Sequence, residues 1–518
     1  MTPPVLPPLA DLVPPRLRPG HELLTEGAVM ARDWQVGRNL FLDTAQVACE
    51  ADYKRRTAAE GRIMQHAHIG FRSVERTLEA IRSVHESCAG RGVTVDRFGI
   101  TLDWSMGYPI AERDKRPRGT GIVLTGPEDF ARITGVVPAA AHFGDFMLGL
   151  PGAVENTRAA LAAGVTTVGN LGQYFTFRLP DWDDDVATTE ATVTALGLIA
   201  AQPVEVLVHS NLDDGFAGLF SDMSSALGMV LVEKYIVEEL IGSRASHCYG
   251  HHFTAPLVRL AFHRALMQVT DTPGSMIFGN TVSYKSTPAG NFASLASYLQ
   301  ADIWSLRRQH SGHAINPVPV TENERIPDTD EIIDAQTFAG KLVAGAHQFR
   351  DRVLAGLAQI GVDIRDPPAT MLALRRIGPR RLEALYGVGA LDRAAWGGRR
   401  ALVEAEWVEE LRHETEAWLD KVAAPVRSGI GQAGLKVCVA SSDVHEHGKS
   451  LIEHLLTQLK AEPVDGGTSA DPDDLVAIAL ANGCDVIAIS TYNGIALRFA
   501  TEVLAALERA GTKLPICI

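Results

Sequence analysis

The chain is short of cysteine, aromatic residues and positive charge, and it has no long hydrophobic run. Its six cysteines (Cys49, Cys88, Cys248, Cys438, Cys484 and Cys517) are scattered through 518 residues without a CxxC pair. That spacing argues against a disulfide framework and fits a reduced, cytoplasmic location. No apolar stretch approaches the roughly 20 residues that a membrane-spanning helix needs, and the amino-terminal segment lacks the basic-then-apolar pattern of a secretory signal. A formal net charge of −14 argues against nucleic acid or an anionic membrane as a partner, because both recruit basic patches. Hydrophobic residues at 46% and charged residues at 21% are ordinary for a globular protein with sizeable cores.

What is present falls into blocks. Residues 1–35 begin MTPPVLPPLADLVPPRLRPG, a proline-rich segment expected to be an extended arm, a subunit contact or a disordered tail. Good helix formers with a charged face predict helix across 36–62. Within 36–340, short apolar runs alternate with helical stretches. The strand candidates are 63–71 (IMQHAHIGF), 97–104 (RFGITLDW), 141–148 (AHFGDFML), 165–172 (VTTVGNLG), 204–211 (VEVLVHSN), 245–253 (ASHCYGHHF), 275–282 (SMIFGNTV) and 313–323 (HAINPVPVTEN). Eight strands with crossover helices over that length predict a (β/α)8 TIM barrel. Residues 341–425 turn helical and form a connector, and 426–434 (VRSGIGQAG) is expected to be a short flexible link. From 435 to 518, strand, loop and helix repeat as in a Rossmann-like (flavodoxin-like) parallel sheet. The expected fold class is therefore α/β, a barrel followed by a helical connector and a doubly wound domain.

One loop of that last domain carries chemistry. Asp443, His445 and Gly448 lie between a predicted strand and a predicted helix, at the sheet edge where open α/β folds bind ligands. A histidine two residues after an aspartate can offer one ring nitrogen to a metal while the carboxylate orients the other. Gly448 lets a ligand approach the backbone. These residues resemble the Asp-x-His-x-x-Gly signature of cobalamin-binding domains in mutases and corrinoid methyltransferases. The resemblance makes His445 the lower axial ligand to cobalt and Asp443 its partner. It assigns the segment Ser490-Thr491-Tyr492, with Gly494 following, to the dimethylbenzimidazole tail, although the family has leucine where Tyr492 stands. The family's closing Gly-Gly segment would fall beyond Ile518, so the tail pocket is expected to be incomplete in this chain.

Upstream, IGFRSVERTLEAIRSVHE followed by ITLDW, LGLPGAVENTRAALAAGVTT and VPVTENERIPDTDEIIDAQTFAG resemble the barrel of glutamate mutase (methylaspartate mutase). The resemblance implies an adenosylcobalamin-dependent radical isomerase with barrel and cobalamin-binding parts fused. It places Glu322 on the adenosyl ribose, and His68 and Asn170 in the substrate pocket. The arginines that clamp two substrate carboxylates in that family correspond here to His68, Gly107 and about Met147, and the accompanying lysine to Val318. Bidentate Arg–carboxylate pairing has no substitute among these residues. A small-molecule substrate less anionic than glutamate is therefore expected.

Histidines crowd the predicted strand ends: His66, His68, His209, His247, His251, His252 and His313. Alternation puts His66 and His68 on one side of the first strand. Three roles fit them: packing within barrel layers, neutral hydrogen bonding to a substrate, or a zinc site built with His209 and His247 as in amidohydrolase-like barrels. The aspartate such a zinc site needs on the eighth strand is missing from INPVPVTEN. A corrinoid methyltransferase and a non-catalytic cobalamin-binding protein are the alternatives to a mutase. The residues leave oligomeric state open, although mutases of this kind often form homodimers.

Overall fold

A computed structural model describes residues 16–116, 118–177, 179–212, 223–253, 255–285, 287–346, 415–416, 418–442, 446–468, 470–491 and 496–518. It is a mixed α/β structure built on parallel sheets, and the chain divides into two compact units. Among the described residues, the larger unit takes 16–176, 183–320 and 327–346, and the smaller takes 177–182, 321–326 and the residues from 415 onward.

The larger unit contains β1 (Met64–Ile69), β2 (Arg97–Ile100), β3 (Ala140–His142), β4 (Thr167–Val168), β5 (Leu207–Asn211), β6 (Arg244–Cys248), β7 (Met276–Ile277) and β8 (Ala314–Ile315). Each lies in or overlaps one of the apolar runs singled out from the sequence. One sheet has the order β3-β2-β1-β8-β7 and another β4-β5-β6. Isolated parallel bridges, Phe143 to Val168 and Tyr249 to Ile277, continue the succession from β3 to β4 and from β6 to β7. The helix after β1 buries a single stripe, whereas the Asp185–Ala200 helix, packed on two other helices, is buried along every residue from Thr192 to Ile199. The Val74–Gly90 helix buries Thr77, Ala80, Ile81, Val84 and Cys88, the three-and-four spacing of an amphipathic helix, and Ser73 caps it by accepting from the Arg76 amide.

The arm expected at the amino terminus needs correction. Within the proline-rich block, Gly20–Met30 is a helix, packed on the Asp185–Ala200 helix. Glycines on both sides allow the close approach: a Cβ at Gly27 would strike the Thr194 carbonyl, and one at Gly197 would meet the Leu24 backbone. Gly27→Val should therefore lower the unfolding free energy by about 1–3 kcal/mol in urea titrations, the usual cost of forcing bulk into a packed contact. An unchanged midpoint would contradict this packing. The helical periodicity expected across 36–62 is met by two helices, Leu40–Ala45 and Glu50–Ala59. Gln46 takes a left-handed conformation that ends the first, and the extended Cys49 starts the second.

The smaller unit holds β9 (Lys436–Ser441), β10 (Glu462–Asp465), β11 (Val486–Ser490) and β12 (Ile516–Cys517) in the order β10-β9-β11-β12, all parallel. Alternation along β9 sends Val437 and Val439 to one face, with Ile452 and Leu456 from the Glu446–Gln458 helix. Cys438 and Ala440 go to the other face, with Leu475, Val476 and Ala479 from the Pro472–Ala481 helix and Phe499 and Val503 from the Ala496–Arg509 helix. The flexible link expected at 426–434 is also corrected. Ala424–Ala433 is a helix with proline in its first turn, closed by Gly434 at φ +58. Most of the expected connector, 347–414, lies outside the described residues. Among the described residues no helix is long and apolar enough to cross a membrane.

Candidate functional site

The carboxyl ends of β9 and β11 are the natural ligand edge of the smaller unit. From β9 the chain crosses to β10 on one side, and β11 lies on the other, so the sheet order reverses between β9 and β11. Ser441 and Ser490 are register partners there, and the Ser442 amide donates to the Ser490 carbonyl at 2.9 Å. The Ser442 hydroxyl is buried with no hydrogen-bond partner among the described residues. Gly448, in the first turn of the helix after β9, faces Ser490, whose Oγ a Cβ at this position would strike. The structure thus brings together two of the expected cofactor residues, Gly448 and Ser490. Asp443, His445, Tyr492 and Gly494 lie outside the described residues. Nearby, Lys449 is held by Glu453 at 2.7 Å and Asp465 at 2.9 Å. Burial opposes its charge, but both carboxylates raise its pKa on balance.

The larger unit has a second polar centre. Met64, His66 and His68 share one face of β1 by alternation. His66 is in register with Arg97 on β2, and His142 of β3 with Gly99. The Arg97 guanidinium donates to His142 Nδ1 at 2.7 Å and lies 3.5 Å from His66 Nδ1, while its Nε donates to the Glu50 carboxylate at 2.8 Å. Rings follow one another from His68 to His66 at 6.0 Å, His66 to His142 at 6.0 Å and His142 to His209 at 4.4 Å. His66, His142 and His209 are all buried. Burial, followed by the charge of Arg97, holds all three imidazoles well below their ordinary pKa and therefore neutral.

Beneath this face the Glu50–Ala59 helix crosses the amino ends of several strands. Lys54 Nζ lies 3.4 Å from Glu50 and donates to the Ser275 and Gly312 carbonyls, which precede β7 and β8. The Glu50 amide donates to Thr166 Oγ1, just before β4. Burial alone would raise the Glu50 carboxyl, but Arg97 and Lys54 outweigh it and hold its pKa below the usual value. Burial pushes Lys54 down to about 8.

The zinc arrangement considered from sequence is not assembled. His247 pairs in register with Ser210, the neighbour of His209, and both His247 and Ser210 bond Glu233 of the Met223–Lys234 helix, at 3.1 and 2.6 Å. Alternation therefore turns His209 the opposite way from His247. Among the described residues no group of three or more His, Cys, Asp and Glu side chains could hold a metal ion.

Asn170, expected in the substrate pocket, is fully buried. Its Oδ1 accepts from the Gly172 and Asn211 amides, and its amide donates to Asp145 at 3.3 Å. The half-buried Asp145, beyond the end of β3, is the more accessible group of this pair. Glu322 lies in a half-buried turn and groups with the smaller unit. Sequence reasoning missed Arg97, Glu50, Lys54, His142 and Asp145. A signal existed for the first three: an arginine inside an apolar strand run, and a Glu–Lys pair four residues apart on the preceding helix.

Comparison with protein-family models gives no match to the chain. Comparison with curated proteins likewise gives none.

Proposed function

We propose that the protein is an adenosylcobalamin-dependent isomerase of the carbon-skeleton mutase type, resembling glutamate mutase but acting on a less anionic small molecule. The larger unit is read as a (β/α)8 barrel that holds substrate, and the smaller as a Rossmann-like domain that holds the corrinoid. Support for the barrel comes from eight parallel strands in chain order, from β8 pairing with β1, and from one helix reaching the amino ends of β2, β4, β7 and β8.

The observation that carries the cofactor assignment is the edge formed by β9 and β11. In the sequence the Asp443–Gly448 segment follows β9, and Gly448, having no Cβ, lets Ser490 Oγ pack close against its backbone. The Ser442 hydroxyl, buried with no hydrogen-bond partner among the described residues, fits a polar group laid over this edge. His445 would ligate the cobalt, Asp443 would orient its imidazole, and Ser490 would bond the nucleotide tail. Bound adenosylcobalamin supplies hydrogen-abstracting radical chemistry through homolysis of its cobalt–carbon bond. The protein's own residues bind, orient and exclude water. Glu322 would fix the adenosyl ribose and His68 would meet the substrate, with Asn170 acting through Asp145.

The test is anaerobic mixing of the full chain with adenosylcobalamin and a panel of amino acids, hydroxy acids and acyl thioesters. A mutase gives a substrate-dependent paramagnetic resonance signal from cobalt coupled to an organic radical. Tight corrinoid binding with no such signal across the panel would favour a methyltransferase or a non-catalytic cobalamin-binding protein.

A further inference from the structure

The imidazole cluster of the larger unit has more donors than partners. Arg97 donates to His142 Nδ1, so that nitrogen must be an acceptor and the ring proton sits on Nε2. The same guanidinium faces His66 Nδ1 and favours the same tautomer. Yet among the described residues His66 Nε2 and His142 Nε2 are both buried without a hydrogen-bond partner, as is His209 Nδ1. Each orphaned polar group of this kind costs on the order of 1–3 kcal/mol unless something bonds it. Native interiors rarely collect three together.

Glycines shape the space beside them. A Cβ at Gly99 would strike His66 Nε2, and one at Gly144 would meet His142 Nε2 at 2.6 Å. The missing Cβ atoms make room for the rings themselves: His66 and His68 pack against Gly99, and His142 packs against Gly144. Asn316, two residues past Ala314 and so on the face that pairs with Met64, is buried, and neither of its amide atoms is bonded among the described residues.

The charges behind the imidazoles do not cancel. Arg97 and Lys54 share the single carboxylate of Glu50, and the nearby Asp96 is neutralised by Arg62 at 2.6 Å. Two cations against one anion leave a buried positive excess, which neutral imidazoles transmit through polarised N–H groups. A dicarboxylate would overload this face, and an uncharged ligand would leave the excess standing.

We propose that this face binds one carboxylate, with His66 Nε2 and His142 Nε2 as donors and Arg97 as the positioning cation behind them. The proposal rests on reading the larger unit as the substrate-holding one, and it specifies the substrate class as a monocarboxylate. The carboxylate takes the two N–H groups, and its single charge balances the Arg97–Lys54–Glu50 set. The Asn316 amide supplies a further donor toward the same face.

The test uses the full chain labelled with 15N in its histidines, with sodium acetate as probe and acetamide as its uncharged counterpart. Acetate should shift the His66 and His142 Nε2–H resonances saturably, and acetamide should leave them in place. His142→Gln should weaken acetate binding by about tenfold, the worth of one hydrogen bond to a charged group. Unmoved imidazole resonances in the unsubstituted protein, or equal shifts with acetamide, would overturn the proposal whether or not the variant folds. The absorption spectrum of added cobalamin is read on the same sample. Silent imidazoles with a bound corrin would sink this proposal alone, and an acetate site without corrin binding would sink the mutase reading alone.

Discussion

His445→Ala should abolish the absorption spectrum of cobalamin coordinated by a protein imidazole, while the smaller unit stays folded. In the sequence the substitution falls between β9 and the Glu446–Gln458 helix, and the apolar sets on the two faces of the sheet come from the strands and helices themselves. Loss of a metal ligand removes the coordinate bond outright, and Asp443→Asn should produce a weaker form of the same change. Partners that orient a ligating imidazole typically contribute 10- to 100-fold in affinity. The measurement is a titration of each purified variant with cobalamin, followed by its visible spectrum. An unchanged spectrum in His445→Ala would refute the axial assignment, and circular dichroism would confirm that the comparison is between folded proteins.

Acid should unfold the larger unit steeply, beginning below about pH 6.5. His66, His142, His209 and His313 are held well below their ordinary pKa by burial first, with nearby positive charge adding to it, and burial brings His263 down to about 4. Below the unfolded pKa the unfolded chain binds protons that the folded chain refuses. Stability therefore rises with pH in this window and is lost as pH falls. Each such group contributes a slope of about 1.4 kcal/mol per pH unit. With several acting together, moving from pH 6.5 to 5.5 should remove several kcal/mol, a large part of a typical domain's 5–15 kcal/mol. Chemical denaturation at a series of pH values measures it directly. A flat profile over this unit would mean that the imidazoles are protonated or exposed in the native state. A bound carboxylate would oppose the trend, since it favours imidazole N–H donors.

The parts of the fold legible in the sequence are those set by local pattern. Short apolar runs bounded by glycine, proline or charge located all eight strands of the larger unit and the strand–helix alternation of the smaller one. Boundaries were less legible, because β4, β7 and β8 form only two-residue ladders inside longer apolar runs. Composition alone mistook the Gly20–Met30 and Ala424–Ala433 helices for arm and link. Glycine raises the local cost of ordering a helix, but packing on the Asp185–Ala200 helix offsets it for Gly20–Met30. At the candidate sites, Gly448 and Ser490 were found from motif spacing, and the structure places them face to face.

The sequence by itself determined the residue types and their order: a histidine beside an aspartate and a glycine after β9, and paired histidines on β1. Those features depend on neighbours along the chain. Tertiary structure alone decided which histidines meet. It joined His66, His142 and His209 around Arg97 and turned His247 away to Glu233. It also placed Glu50 and Lys54 beneath them. The physical reason is that face and register are shared between strands far apart in the chain, and the charge state of a buried imidazole depends on what closes over it. The spacing of Asp443, His445 and Gly448 is set along the chain alone, whereas the cluster around Arg97 exists only once the strands lie side by side.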